Sequence, residues 1–153
     1  MEDATSCYNT AVDKDLNKCI DQALRYLSIR EHNRRELMLK LHEKGFDSDI
    51  IIHTLELLEA DGSLSEQRYI EAYVRSPNKR HPEGKSMVMA RLLAKGVNRS
   101  VCSDALNIIY SDEYVCALIA RASEKKDRNG LLKAGFTSAD IAKYMLSKQD
   151  DLE

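Results

Sequence analysis

The chain has 153 residues, which is enough for one domain or two small ones. Hydrophobic residues make up 43% and charged residues 31%, and six Gly with two Pro leave little room for a turn-rich β architecture. The net charge of −2 excludes a polycation, so any surface for phosphates must come from uneven charge.

Residues 1–14 are polar and lack helical periodicity, so a flexible N-terminal arm is expected there. Leu16, Ile20, Ala23, Leu24 and Leu27 recur at helical spacing and predict a first helix over 15–30. A second covers 34–44, with Leu37, Met38 and Leu41 inward. Gly45 stops it, and Asp47 is placed to cap a third helix over 48–60 with Ile51, Leu55 and Leu58 inward. Ser63 and Glu66 read as a capping box for a fourth helix over 64–75, with Tyr69, Ala72 and Tyr73 on its apolar face. Pro77 and Pro82 bracket a short loop.

A fifth helix over 83–95 turns Val88, Leu92 and Leu93 inward and stops at Gly96. Asn98 caps a sixth over 99–110, with Val101, Ala105, Ile108 and Ile109. Ser111 or Asp112 caps a seventh to about 125, carrying Val115, Leu118, Ile119 and Ala122. A short eighth helix, weakened by Gly130, ends at Gly135. Thr137 caps a ninth over 138–147, with Ile141, Tyr144 and Met145 inward. An acidic tail, 149–153, is expected to fray.

Three of these boundaries are one corner written three times: Leu41 to Asp47, Leu92 to Asn98 and Leu131 to Thr137. In each, a Gly suits the left-handed residue after a helix, and the next residue is apolar in two copies of Phe (46 and 136) and one of Val (97). That side chain can pack back on the Leu four positions before the Gly and forward on the fourth residue of the following helix. Those fourth residues are Ile51, Cys102 and Ile141. The pattern predicts an all-α protein: three tandem three-helix repeats, 15–62, 63–110 and 111–148, stacked into an elongated, curved, solenoid-like rod.

The corners resemble those of the RecX family, bacterial regulators of the RecA recombinase. Ala23-Leu24-Arg25-Tyr26-Leu27-Ser28-Ile29-Arg30, with Glu36-Leu37 and the corner at Gly45, looks like the family's first repeat. Gly62 to Ser76, continued by Gly84 and the corner at Gly96, looks like its second. The likeness covers about residues 20–147. Departures are Ser65-Glu66 where the family often has two acids, the short Pro-bounded loop, and Arg91 where the family often has Glu. The resemblance implies a bent helical rod that binds the RecA filament on single-stranded DNA and suppresses its ATPase, strand-exchange and coprotease activities.

The charge map points to where such contacts would fall. From Arg75 to Arg99 there are seven basic residues and one acid, Glu83. With Arg68 added, the candidate partner- or DNA-binding residues are Arg68, Arg75, Lys79, Arg80, Lys85, Arg91, Lys95 and Arg99, all in electrostatic roles. The cluster Arg25, Arg30, Arg34, Arg35, Lys40 and Lys44 is interleaved with Glu31, Glu36 and Glu43 and reads more simply as intrahelical pairs. Phosphates would repel the acidic helix after Gly45, which argues against a repeated DNA-reading helix-turn-helix.

No enzyme is expected: HExxH, a phosphate-cradling Gly loop and GxSxG are all absent, and the four His are unpaired at metal-ligand spacing. No cofactor or metal is expected, and Cys7, Cys19, Cys102 and Cys116 read as free thiols. No apolar run approaches the ~20 residues that span a bilayer. A cytoplasmic monomer is expected. The alternatives are a DNA-binding helical module that acts without RecA, and a general helical scaffold for other proteins.

Overall fold

The computed structural model describes residues 3–76 and 81–150, with side chains from 13 to 76 and 81 to 149. Among them lie nine helices and no strand: α1 (Asp3–Ile29), α2 (Arg34–Glu43), α3 (Ser48–Ala60), α4 (Glu66–Arg75), α5 (Lys85–Ala94), α6 (Arg99–Ile109), α7 (Asp112–Ser123), α8 (Arg128–Lys133) and α9 (Ser138–Asp150). Eight start and stop within a few residues of the sequence expectation. The first differs: α1 begins at Asp3, so the segment expected as an arm is helical over most of its length. No Gly or Pro occurs between Asp3 and Ile29, so nothing local interrupts the helix.

The corners form as the sequence spells them. Gly45, Gly96 and Gly135 have φ of 86°, 89° and 93°, a region where a Cβ would be strained. At the first and third corners both Schellman bonds are made: Phe46 N–H to Leu41 O and Gly45 N–H to His42 O, then Phe136 N–H to Leu131 O and Gly135 N–H to Leu132 O. Ile51, Cys102 and Ile141 are all buried beneath the corners. Thr137 and Asp140 cap each other's backbone reciprocally, and Asn98 accepts from Ser100 and Val101 N–H. Asp47 occupies the N-cap position, but its side chain makes no capping bond. The box expected from Ser63 shifts as well. Gly62 carries the turn, Ser63 N–H donates to Asp61, and Ser65 is the residue whose hydroxyl caps α4, through Arg68 N–H.

The chain divides into two compact units, residues 1–69 with 95–97, and residues 70–94 with 98–153. In the first, α1, α2 and α3 enclose Cys19, Ala23, Leu37, Leu41, Ile51 and Leu55, closed off by Leu58 and Leu64. In the second, α7, α8 and α9 enclose Leu118, Ile119, Ala122, Leu131, Phe136 and Ile141, while α5 packs on α6. Each such buried aliphatic side chain contributes about 1.5–3 kcal/mol, which short helices need because each is marginal alone.

Some inward faces are rotated from expectation. Leu24 is largely exposed, and Cys19 with Ala23 takes its place in the core. In α4, Ile70 and Val74 are buried while Ala72 is exposed. In α6, Cys102 and Leu106 are buried, whereas Val101 and Ile108 face out. Met145 of α9 is exposed too.

Each unit also holds a junction at which the N-terminal end of a helix meets the carbonyl just before a left-handed glycine. In the first unit the Asn33 side chain accepts from Glu36 N–H at 2.8 Å, capping α2, and donates to Lys95 O at 3.3 Å. In the second, Gly84 N–H donates to Ala134 O at 2.8 Å and the Ser86 hydroxyl to Gly135 O at 2.8 Å. Donors at one helix start, a side-chain amide in the first unit and a backbone N–H with a hydroxyl in the second, thus satisfy carbonyls left over at another helix end.

Candidate partner-binding site

The expected basic residues have different surroundings. Arg68 and Lys95 belong to the first unit, and Arg75, Lys85, Arg91 and Arg99 to the second. Lys79 and Arg80 lie outside the described residues.

Arg68 is a structural clamp. Its Nε donates to Glu31 at 2.9 Å, and one terminal nitrogen donates to the carbonyls of Gly62 and Ser63 at 2.8 and 2.9 Å. Lys95 stands 4.0 Å from Glu36, whose carboxylate also accepts from Arg30 at 3.1 Å and from the Tyr69 hydroxyl at 2.9 Å. Burial, and then the Glu36 charge, push the Tyr69 phenol well above its usual pKa, so it remains a donor. In the basic cluster of the first unit, Arg30 pairs with Glu36 and Arg34 with Glu59, between segments rather than within one helix as the interleaving suggested, and Lys40 sits over the Tyr26 ring.

In the second unit Arg91 pairs with Glu83 at 2.8 Å, and Lys85 donates to Asn107. Arg75 and Arg99 are exposed. In the Arg91–Glu83 pair the guanidinium is the exposed side, 54% against 17% for the carboxylate, so a partner's anion can still reach the cation.

The second unit assembles a site that the local charge count missed. Arg75, His81 and Arg121 line a cleft of about 240 Å³ whose wall includes Tyr110 and Tyr114. Those rings meet edge to face with centroids 5.4 Å apart. The Tyr110 hydroxyl donates to Glu83 O at 3.1 Å, and burial pushes its pKa up, so it too stays protonated. Arg121 and His81 also line a second cleft of about 240 Å³, with Lys125 and Lys126. Glu83 and Glu124 are the carboxylates of these two clefts. Arg121, Lys125 and Lys126 belong to α7 and the turn after it, about fifty residues beyond Arg75 in the chain. Only folding joins the two groups. The available signal was the run Arg121-Ala-Ser-Glu-Lys125-Lys126 itself.

No group of three or more His, Cys, Asp or Glu placed to hold a metal occurs among the described residues. Cys19 and Cys102 are buried thiols and Cys116 is half-buried, and burial raises the Cys19 pKa. No described helix is long and apolar enough to cross a membrane.

Comparison with known proteins agrees with this architecture. The family model for the first three-helix domain of RecX matches residues 19–58. The regulatory protein RecX of Chlorobium phaeobacteroides is 33% identical over 95 residues, covering 62% of this chain and 63% of that protein. That of Chlorobaculum tepidum is 36% identical over 112 residues, covering 73% of this chain and 68% of the relative. The chain thus spans somewhat under two thirds of the first relative's length and just over two thirds of the second's. The crystal structure of RecX from Lactobacillus salivarius superposes with a TM-score of 0.68 at 27% identity, over 92% of this chain and 99% of that one. With nine helices in this order among the described residues, the repeated corner, and relatives of this identity and coverage, the chain belongs to the RecX family.

Proposed function

We propose that this protein binds the RecA recombinase filament on single-stranded DNA in the cytoplasm and restrains its ATPase, strand-exchange and coprotease activities, without chemistry of its own. Membership of the RecX family is the observation that carries the reading. The clefts lined by Arg75, Arg121, Lys125 and Lys126 support it, as a cationic surface for an acidic protein face or for phosphates. Arg75, Lys85, Arg91, Arg99 and the Lys79–Arg80 pair are proposed as further electrostatic contacts. Arg68 and Lys95 serve the first unit's own packing as well. Holding adjacent recombinase subunits in one geometry would block the motions of ATP turnover.

The test mixes purified protein with RecA, ATP and single-stranded DNA. ATPase should fall with added protein, and the effect should weaken with salt, because exposed charges are screened over about 8 Å at physiological ionic strength. Unchanged ATPase at excess protein overturns the proposal. An Arg121→Ala, Lys125→Ala, Lys126→Ala variant should lose inhibition while keeping its helical circular dichroism. Gel shifts without RecA form the second arm: strong DNA binding at physiological salt, with no effect on the ATPase, favours a module that acts on DNA alone.

A further inference from the structure

Two of the three corners carry the start of another helix, and the first does not. At Gly96 the first turn of α2 lies over the glycine: Asn33 donates to Lys95 O, and a Cβ on Gly96 would fall 2.6 Å from Arg35 Cδ. At Gly135 the first turn of α5 does the same. Gly84 N–H donates to Ala134 O, the Ser86 hydroxyl donates to Gly135 O, and Met87 stands where a Cβ would go. At Gly45 a Cβ would meet no described atom within 4 Å, and no described residue donates to Lys44 O or Gly45 O. The apolar residue after each glycine follows the same pattern. Val97 and Phe136 are 4% and 3% exposed, whereas Phe46 is only half-buried.

The bare corner also differs in charge. Residues 43–49 carry three acids, Glu43, Asp47 and Asp49, and one base, Lys44, whereas 94–100 and 133–139 carry no acid. One of these acids stands on the docking side. Thr137, the second residue after Gly135, lines a groove together with Lys85 and Ser86 of the docked α5. Its equivalent at the first corner is Asp47, which is exposed and makes no capping bond. A carboxylate there favours the positive end of an incoming helix, and a Lys or Arg in its first turn.

We infer that the Gly45 corner is a docking surface for the start of a helix in a partner protein, entering as α2 and α5 enter the other corners. The cap of that helix is an Asn, Ser or Gly able to donate to Lys44 O, and its first turn is basic opposite Asp47. A second copy of the chain does not supply this element. Asn33 precedes Gly45, and Gly84 precedes Gly96, by twelve residues, but Asp127 precedes Gly135 by eight. The helix α8 therefore lacks the turn that docks elsewhere, and the carboxylate of its cap cannot donate to a carbonyl. Under the function proposed above, on which this assignment rests, the incoming helix belongs to a recombinase subunit.

Co-sedimentation with RecA filaments on single-stranded DNA tests this. Gly45→Asn keeps the left-handed backbone, which Asn tolerates, and puts a side chain where the partner's helix would pack. It should weaken binding at least about tenfold, as loss of a central contact does. Gly62→Asn is the control, since Gly62 has φ of 80° and the same open space but belongs to none of the three corners. Binding by that variant should stay within about twofold of wild type. Asp47→Asn, which keeps a capping residue, should cost about threefold at low salt and less at high salt. All three variants should retain helical circular dichroism. Absence of binding by the wild type overturns the proposed function and this site with it. Wild-type binding by Gly45→Asn, or equal losses in Gly45→Asn and Gly62→Asn, overturns the docking site and leaves that function standing. Sedimentation equilibrium of the protein alone should give the mass of one chain; self-association that Gly45→Asn abolishes would make a second copy the occupant and overturn the assignment to a partner.

Discussion

The junction at Asn33 and the junction at Gly84 solve one problem with opposite materials. In both, the helix start takes the carbonyl that precedes a left-handed glycine. At Asn33 a side chain does it, reaching Lys95 O at 3.3 Å while its oxygen caps α2. At Gly84 the backbone does it, donating to Ala134 O at 2.8 Å. The backbone route demands closer approach: a Cβ at Gly84 would lie 2.1 Å from Gly135 O, and one at Gly135 would lie 2.7 Å from Met87 Cβ. The side-chain route leaves more room, since a Cβ at Gly96 would meet the flexible Arg35 side chain at 2.6 Å. A polar side chain thus substitutes for intimacy between backbones. One junction tolerates adjustment and the other does not.

Substitutions can break this contrast. The largest effect is expected from Gly84→Ala, where backbone atoms cannot yield; the loss should be about 3 kcal/mol or more, toward the upper end for overpacking. Urea denaturation followed by circular dichroism measures it, and no loss, or the gain of about 0.4–1 kcal/mol that a compatible Gly-to-Ala change brings, would mean that the close approach is not a constraint.

Asn33→Ala comes next. It removes a cap and leaves Lys95 O without its buried donor, for about 2 kcal/mol in total. Asn33→Asp sharpens the test, because the carboxylate can still cap α2 but cannot donate to Lys95 O. It should recover part of the loss, and equal losses would assign the whole effect to the bond to Lys95 O rather than to the cap. Smaller still is Gly45→Ala. A Cβ there meets nothing within 4 Å, so only the φ of 86° resists it, at about 1–2 kcal/mol.

The smallest expected effect is a pH dependence next to the Asn33 junction. His32 is buried, and its Nδ1–H donates to Arg30 O at 2.9 Å. Its Nε2 has no partner. Burial holds its pKa below the usual histidine value, opposed by the bond to Arg30 O; Glu36 raises it, while Arg30 and Lys40 lower it. As pH falls, the unfolded chain takes up this proton first. The contribution is therefore complete above about pH 6.5 and is lost as pH drops through 6.5 toward the lower folded value. A His32→Phe variant should show a shallower fall in urea midpoint between pH 7.5 and 5.5 than the parent. A parallel fall would clear His32 of the dependence.

Much of this fold is legible in the sequence because its punctuation is local. Gly45, Gly96 and Gly135 need only their own backbone conformation to mark a corner, and the residues around them repeat. Which side of a helix is buried was less legible. In α6 the spacing of Val101, Ala105 and Ile108 was as regular as that of Cys102, Ala105 and Leu106, and only the neighbouring helices choose between the two. Met145 failed for a related reason: its spacing suits a core residue, but no described residue covers it. The Gly84 junction was invisible because a glycine's contact leaves no side-chain pattern. The cationic clefts were only half visible, since a local charge count finds Arg75 but cannot bring Arg121 and Lys125 to it.

The buried thiols have an experimental consequence. Cys19 lies in the first unit and Cys102 in the second, and neither can react with a water-soluble alkylating reagent until its surroundings open. Mass-resolved alkylation over time would therefore clock the breathing of each unit separately, in the unlabelled wild-type chain. Cys116, half-buried on α7, would supply the fast reference within the same molecule.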